Sequence, residues 1–146
     1  MSRAPAELKK GTVLIVDDEP AMLLSLEALL DEHFTVRSAS NLKEARPLLE
    51  ALAVDVLLVD YQLPDGTGLE LFKWASSKSA AMMAILISGQ PDHPELRAAE
   101  KSEAVVRVLA KPFDPSRLVG LVERTVQLVR LRESMSALKQ GAARRR

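Results

Sequence analysis

Four short polar clusters each stand directly after a short apolar run. Asp17-Asp18-Glu19 follows Thr12 to Val16, Asp60 follows Val56 to Val59, Ser88-Gly89 follows Ala84 to Ile87, and Lys111-Pro112-Phe113 follows Val105 to Ala110. Taken singly, each has an ordinary explanation: an acid before Pro20 can cap a helix, Asp60 can start a turn, Ser88-Gly89 suits a loop, and Lys-Pro is a common exit from a strand. As a set they point to chemistry. Carboxylates gathered at one place repel one another unless a cation joins them, and an all-oxygen site of one or two carboxylates plus waters suits Mg²⁺. Asp18 and Asp60 are the candidate ligands, with Asp17 acting through water. A carboxylate can also be a nucleophile that takes up a phosphoryl group. Such a transfer needs positive charge on the equatorial phosphoryl oxygens, from a metal and a lysine, and a hydrogen-bonding group that follows the phosphoryl once it arrives. Lys111 and Ser88 are of the right types for those two tasks.

The apolar runs that carry these clusters are too short for helices and rich in β-branched residues, so they are predicted strands. A further run, Phe34 to Ser38, alternates apolar and polar residues as an edge strand does. Helical spacing fills the gaps. Leu23, Leu26, Leu29 and Leu30 form one stripe introduced by Glu19-Pro20, and Leu42, Ala45, Leu48, Leu49 and Leu52 form another, with Asn41 and Glu44 placed as N-cap and N3 partner. Pro47 inside the second predicts a kink or a late start. Leu69, Leu71, Phe72 and Ala75 mark a third helix, Asp92-His93-Pro94-Glu95 opens a shorter fourth, and Asp114-Pro115 caps a long last one. This alternation predicts an α/β doubly wound parallel sheet with helices on both faces, whose functional crevice lies at the carboxyl ends of the strands, where all four clusters fall.

With 146 residues the chain suits one domain, expected over residues 12–125, with a tail at 1–11 and a helical extension with a basic tail at 126–146. Twenty basic residues against twenty acidic ones leave a net charge of +0, which argues against a surface built for nucleic acid or acidic lipid. The absence of Cys excludes disulfides, thiolate metal sites and cysteine nucleophiles. No apolar run approaches a membrane span and the first residues are too polar for a signal peptide, so a cytoplasmic protein without membrane contact is expected. Leu128, Leu131, Met135 and Leu138 continue the last helix at 3–4 spacing. This is a candidate seam for a homodimer, although roughly two heptads fall short of the three or four of a firm coiled coil. Residues 126–146 are too few for a DNA-binding domain, and Arg144 to Arg146 is read as a solvated run.

The pieces VLIVDDEP, DVLLVDYQLPDGTGLEL, ILISG and LAKPF, in this order and spacing across roughly residues 11–125, resemble the receiver domain of bacterial response regulators. The resemblance implies a CheY-like, flavodoxin-like fold with strand order 2-1-3-4-5. It also implies Asp60 as phosphoacceptor, supplied by a phosphohistidine on a sensor histidine kinase or phosphotransfer protein. Mg²⁺ would be held by Asp18, Asp60 and the backbone carbonyl of Gln62, assisted by Asp17. Lys111 would contact the phosphoryl group, Ser88 would be the switch hydroxyl, and Lys111-Pro112 would be cis. The output would be a conformational signal to a protein target, with no enzymatic activity beyond self-phosphorylation and slow autodephosphorylation.

One departure concerns the signal. An aromatic residue usually stands three positions before the lysine, where this chain has Val108, so coupling to the face of the fourth helix, fifth strand and fifth helix is expected to be altered or weak. Gln62 and Gln90, at positions that modulate phosphoryl lifetime in the family, offer no obvious base for water. Phosphatases of the haloacid dehalogenase type need a second acid two residues after the nucleophile, where Gln62 stands. Neither G-x-x-x-x-G-K-[ST] nor G-x-G-x-x-G is present. His33 and His93 are read as surface residues, Trp74 as packing and Tyr61 as a loop side chain. The alternative from another class is a receiver-like scaffold or dimerisation module that acts without phosphorylation.

Overall fold

The computed structural model describes residues 10–79, 81–102 and 105–144. Along the chain these form β1 (Thr12–Val16), α1 (Pro20–Leu30), β2 (Thr35–Ala39), α2 (Leu42–Ala51), β3 (Val56–Asp60), α3 (Gly68–Ser76), β4 (Met83–Ser88), α4 (Pro94–Ser102), β5 (Val106–Ala110) and α5 (Pro115–Arg144). A two-residue ribbon, Gln62–Leu63 against Gly66–Thr67, lies between β3 and α3. The five main strands form one parallel sheet in the order β2-β1-β3-β4-β5. This is the doubly wound arrangement expected from the alternation.

Position in the sheet explains the sequence pattern. Every residue of β3 and β4 is buried, as uninterrupted apolar runs require when helices cover both faces, whereas β2 at the edge alternates exposed with partly buried residues before ending at Ala39. On one face Val13, Ile15, Leu58, Ile85 and Ile87 pack against Leu26 and Leu30 of α1 and Leu118 and Val122 of α5. On the other, Leu14, Val16, Leu57, Val59 and Leu86 pack against Leu42 and Ala45 of α2, Leu69 and Phe72 of α3 and Leu96 and Ala99 of α4.

Helix α2 starts at Leu42 and continues through Pro47, so the expected late start does not occur. Its first turn is over-determined by caps. The Leu42 and Lys43 amides donate to Asp65 Oδ1 (2.9 Å) and Oδ2 (3.1 Å), and the Glu44 amide donates to Asn41 Oδ1 (2.8 Å). Glu44 Oε1 accepts in turn from the Ser40 amide (2.9 Å). With those donors satisfied, the single bond that Pro47 removes does not displace the start. Gly66, beside Asp65, has φ 154° and would drive a Cβ to 2.8 Å from Leu42 Cδ2, so this approach needs glycine.

Helix α5 remains on the core one turn past residue 125, because Val129 is buried with Leu118 and Val122. Arg130 then lies 3.7 Å from Asp55 Oδ2 and Arg132 donates to the Ala81 carbonyl at 3.5 Å. The stripe turns outward: Leu131, Met135 and Leu138 are 55%, 51% and 73% exposed. The tail at residues 1–9 and Arg145-Arg146 lie outside the described residues, as does the side chain of Arg144. Among the described residues no helix is long and apolar enough to cross a membrane.

Candidate functional site

The parallel register lifts the polar ends of the strands to one rim. Asp60 pairs in register with Ile87, Ser88 with Ala110, and Val16, one residue before Asp17, pairs with Val59, one residue before Asp60. Asp18, Asp60, Gln62, Ser88 and Lys111 consequently line one cavity, together with Tyr61, Gln90 and His93. Asp17, Asp18 and Asp60 each bring a carboxylate oxygen within 4.8 Å of the others. A broader groove at the opposite end of the sheet, lined by Leu49, Leu52, Ala75 and Met82 among others, holds none of these carboxylates.

Within the cavity the charges are arranged asymmetrically. Lys111 Nζ donates to Asp60 Oδ2 at 2.7 Å, and Asp60 Oδ1 accepts from the Gln62 amide at 3.1 Å. Burial alone would lower the Lys111 pKa, but the hydrogen bond to Asp60 and the negative charges of Asp60, Asp17 and Glu19 outweigh it and hold the ammonium protonated above its ordinary range. Asp17 is almost fully buried. Its Oδ1 accepts from the Glu19 amide at 2.9 Å, while its buried Oδ2 has no hydrogen-bond partner. Burial pushes the Asp17 carboxyl up, opposed by the Glu19 amide and Lys111 and reinforced by Asp60 and Asp18. An orphaned buried carboxylate oxygen among two further carboxylates is the donor set that a hard divalent cation satisfies, so these residues fit Mg²⁺.

Ser88 Oγ accepts from the Gln90 amide at 2.9 Å, so the hydroxyl is engaged by its own loop. The Lys111–Pro112 peptide bond is cis, as expected. Glycine matters once more: Gly68 donates its amide to the Tyr61 carbonyl at 2.7 Å, and a Cβ on it would stand 2.6 Å from the Asp60 carbonyl oxygen.

One expectation, that for His93, is corrected, and another is refined. Tyr61 stands on the connection that follows β3, as expected of a loop side chain, yet is only 6% exposed, with its hydroxyl donating to Glu95 Oε2 at 2.8 Å. Burial comes first, and the Glu95 carboxylate second, in pushing the Tyr61 phenol up to about 12. His93 is half-buried rather than a plain surface residue. Its ring packs 5.3 Å from that of Tyr61 and its Nδ1 accepts from the Glu95 amide at 3.2 Å. The signal that could have placed Tyr61 was the period of two along β3, since Leu57, Val59 and Tyr61 share one core face. Trp74 does pack on the core, with Arg46 and Lys78 over its ring at 5.6 and 5.0 Å, and His33 is exposed, 4.0 Å from Glu123.

A fold of order β2-β1-β3-β4-β5 with three acids, a lysine and a serine at the carboxyl rim defines a class, and comparison with known proteins agrees. Residues 13–123 match the model of the response regulator receiver domain, and the chain belongs to that family. It is 34% identical over 130 residues to the hydrogenase transcriptional regulatory protein HoxA of Cupriavidus necator and 35% identical over 122 residues to the response regulator protein PilR of Pseudomonas aeruginosa. These alignments take in 89% and 83% of this chain and 27% of each regulator, so the chain spans about a quarter of their length. A CheY-like response regulator receiver domain from Methanospirillum hungatei superposes with a TM-score of 0.77 at 25% identity, over 85% of this chain and 99% of that one. Phosphorylation on an aspartate is the general mechanism of this family, and its acidic pocket binds Mg²⁺.

Proposed function

We propose that Asp60 is the phosphoacceptor of this receiver domain. A carboxylate oxygen of Asp60 attacks phosphorus, the P–N bond of a phosphohistidine on a sensor histidine kinase or phosphotransfer protein breaks, and the imidazole leaves with a proton. The observation that carries this reading is the pairing of Asp60 with Lys111 at 2.7 Å beside the unpartnered Asp17 Oδ2. Asp17, Asp18, Asp60 and the Gln62 carbonyl would hold Mg²⁺, which when bound supplies positive charge to the phosphoryl oxygens. Lys111 moves from Asp60 to a phosphoryl oxygen, and Ser88 leaves the Gln90 amide to donate to another.

The chain then acts as a cytoplasmic switch that signals to a protein target and does not itself touch DNA, and it turns over no substrate beyond its own phosphorylation and slow hydrolysis. The exposed stripe of Leu131, Met135 and Leu138 supports weak pairing with a second copy through α5. Intact mass after incubation with acetyl phosphate and Mg²⁺ tests the switch. An adduct of about 80 Da, the elemental mass of the phosphoryl group in an acyl phosphate, is expected for the wild type and absent in D60A or with chelator. An unlabelled wild type would favour a receiver-like scaffold.

A further inference from the structure

Helix α4 is tied to the sheet by side chains at two places. Glu100 Oε2 accepts from the Val108 amide of β5 at 2.9 Å, and Glu95 Oε2, in the first turn, accepts from the Tyr61 hydroxyl at 2.8 Å. The second tie begins at the residue next to Asp60. The Tyr61 backbone is fixed on both sides, its amide to the Ile87 carbonyl (2.9 Å) and its carbonyl to the Gly68 amide (2.7 Å), so the ring is a rigid post at the carboxyl rim. The segment from Ser88 to Pro94 passes over this post. It leaves β4 at Ser88, is held by the Gln90 amide on Ser88 Oγ, lays His93 against the Tyr61 ring, and enters α4. The loop that joins Ser88 to α4 thus touches the Tyr61 ring, through His93, before the helix begins. Val108, on the neighbouring strand, has neither ring nor hydroxyl with which to make such a contact.

We propose that Tyr61 is a positioning residue of the switch, a latch whose hydrogen bond to Glu95 holds α4 in its resting place and is released when Ser88 leaves the Gln90 amide. This rests on phosphorylation at Asp60. The latch acts on the coupling of the site to α4, and the chemistry at Asp60 proceeds without it.

Hydrogen exchange of the peptide covering residues 94–102, in the wild type, Y61F and E95A, with and without beryllofluoride and Mg²⁺, tests the latch. Acetyl phosphate labelling of each variant, read by intact mass, runs in parallel. A phenol donating to a carboxylate at a partly exposed site is worth roughly a factor of ten in local opening. In the wild type, activation is expected to raise exchange of α4 by about that factor. Y61F and E95A are expected to show the raised exchange already at rest, with little further change on activation, and the double variant Y61F/E95A to match the singles. The chain's single tyrosine allows a direct reading of the bond, because its Cζ chemical shift is expected to move on activation of the wild type and not of E95A.

Labelling of Y61F and E95A at the wild-type rate separates loss of the latch from loss of the phosphorylation site. Failure of the wild type to label would instead overturn the phosphorylation reading on which the latch rests. The latch is overturned if Y61F keeps the wild-type difference between resting and activated α4. A purely structural role would do this, raising exchange equally in both forms. It is equally overturned if activation leaves wild-type α4 and the tyrosine shift unchanged.

Discussion

Replacing Gly68 by alanine places a methyl group 2.6 Å from the Asp60 carbonyl oxygen, 3.0 Å from Val59 Cγ1 and 3.1 Å from Leu86 Cδ2. Two of these neighbours are side chains in the packed core and the nearest is backbone of the central strand, so none can swing away as a flexible tip would. Relief requires β3 and α3 to part by several tenths of an ångström, and overpacking of this kind costs about 1–3 kcal/mol. Two kcal/mol is roughly a thirtyfold fall in the folding equilibrium constant, or about 4–8 °C in Tm for a chain of this size. The shift also displaces the backbone that aims Asp60, so labelling by acetyl phosphate should slow in the folded fraction. Gly120→Ala is the matched control: its Cβ meets only the Arg124 guanidinium, at 3.3 Å, and lies inside helix α5. There alanine should stabilise by about 0.5–1 kcal/mol through helix propensity. Urea unfolding of the two variants gives both signs in one experiment. If G68A matches the wild type in midpoint and labelling rate, the close packing of Gly68 on Asp60 does not govern the site.

Other expectations follow from the same geometry. K111A removes the partner held at 2.7 Å from Asp60 and should slow acetyl phosphate labelling roughly a hundredfold or more, as loss of one preorganised charge does, while circular dichroism stays native. Magnesium should raise the Tm of the wild type, by about 2.7 kcal/mol in stability at a hundred times its Kd, and should do much less for D17N, which neutralises the carboxylate with the unpartnered oxygen. Asp65 is held below the usual carboxylate range by the Leu42 and Lys43 amides. Its contribution is therefore complete above the unfolded value of about 4 and lost as pH falls through the lower folded value, so D65N should flatten the acid limb of stability measured by urea midpoints. Light scattering should find a concentration-dependent dimer that L131E/M135E abolishes, and a monomer at every concentration in the wild type would refute pairing through α5.

The sequence made the sheet and its functional rim legible because both rest on local patterns. Uninterrupted apolar runs in β3 and β4 reflect burial on two faces, and the polar residue ending each run falls on the rim by topology alone. Asn41 and Glu44 announced the start of α2 because a cap and its partner lie three residues apart. Asp65 caps the same turn from across the chain, 23 residues from Leu42, and nothing local revealed it. Pro47 does not delay the start for that reason: the cost it imposes is local, whereas the contacts that hold the first turn are not. The burial of Tyr61 and His93 was not legible because their partners, Glu95 and each other, meet only when α4 folds back on β3, although the alternation of Leu57 and Val59 already pointed Tyr61 inward. The apolar stripe of α5 was visible in the sequence, but the contacts of Arg130 and Arg132 with Asp55 and the Ala81 carbonyl were not, because those partners belong to distant strand starts.

The central claim is that the phosphoryl group sits on Asp60, and reduction of the labelled chain with borohydride tests it most directly. An aspartyl phosphate is an acyl phosphate and is reduced to homoserine, leaving the residue about 14 Da lighter by elemental mass. Peptide mapping should place homoserine at position 60 in chain labelled with Mg²⁺ present, and nowhere in chain labelled with chelator. Homoserine at Asp17 or Asp18, or an unreduced Asp60 in chain that carries the adduct, would contradict the account.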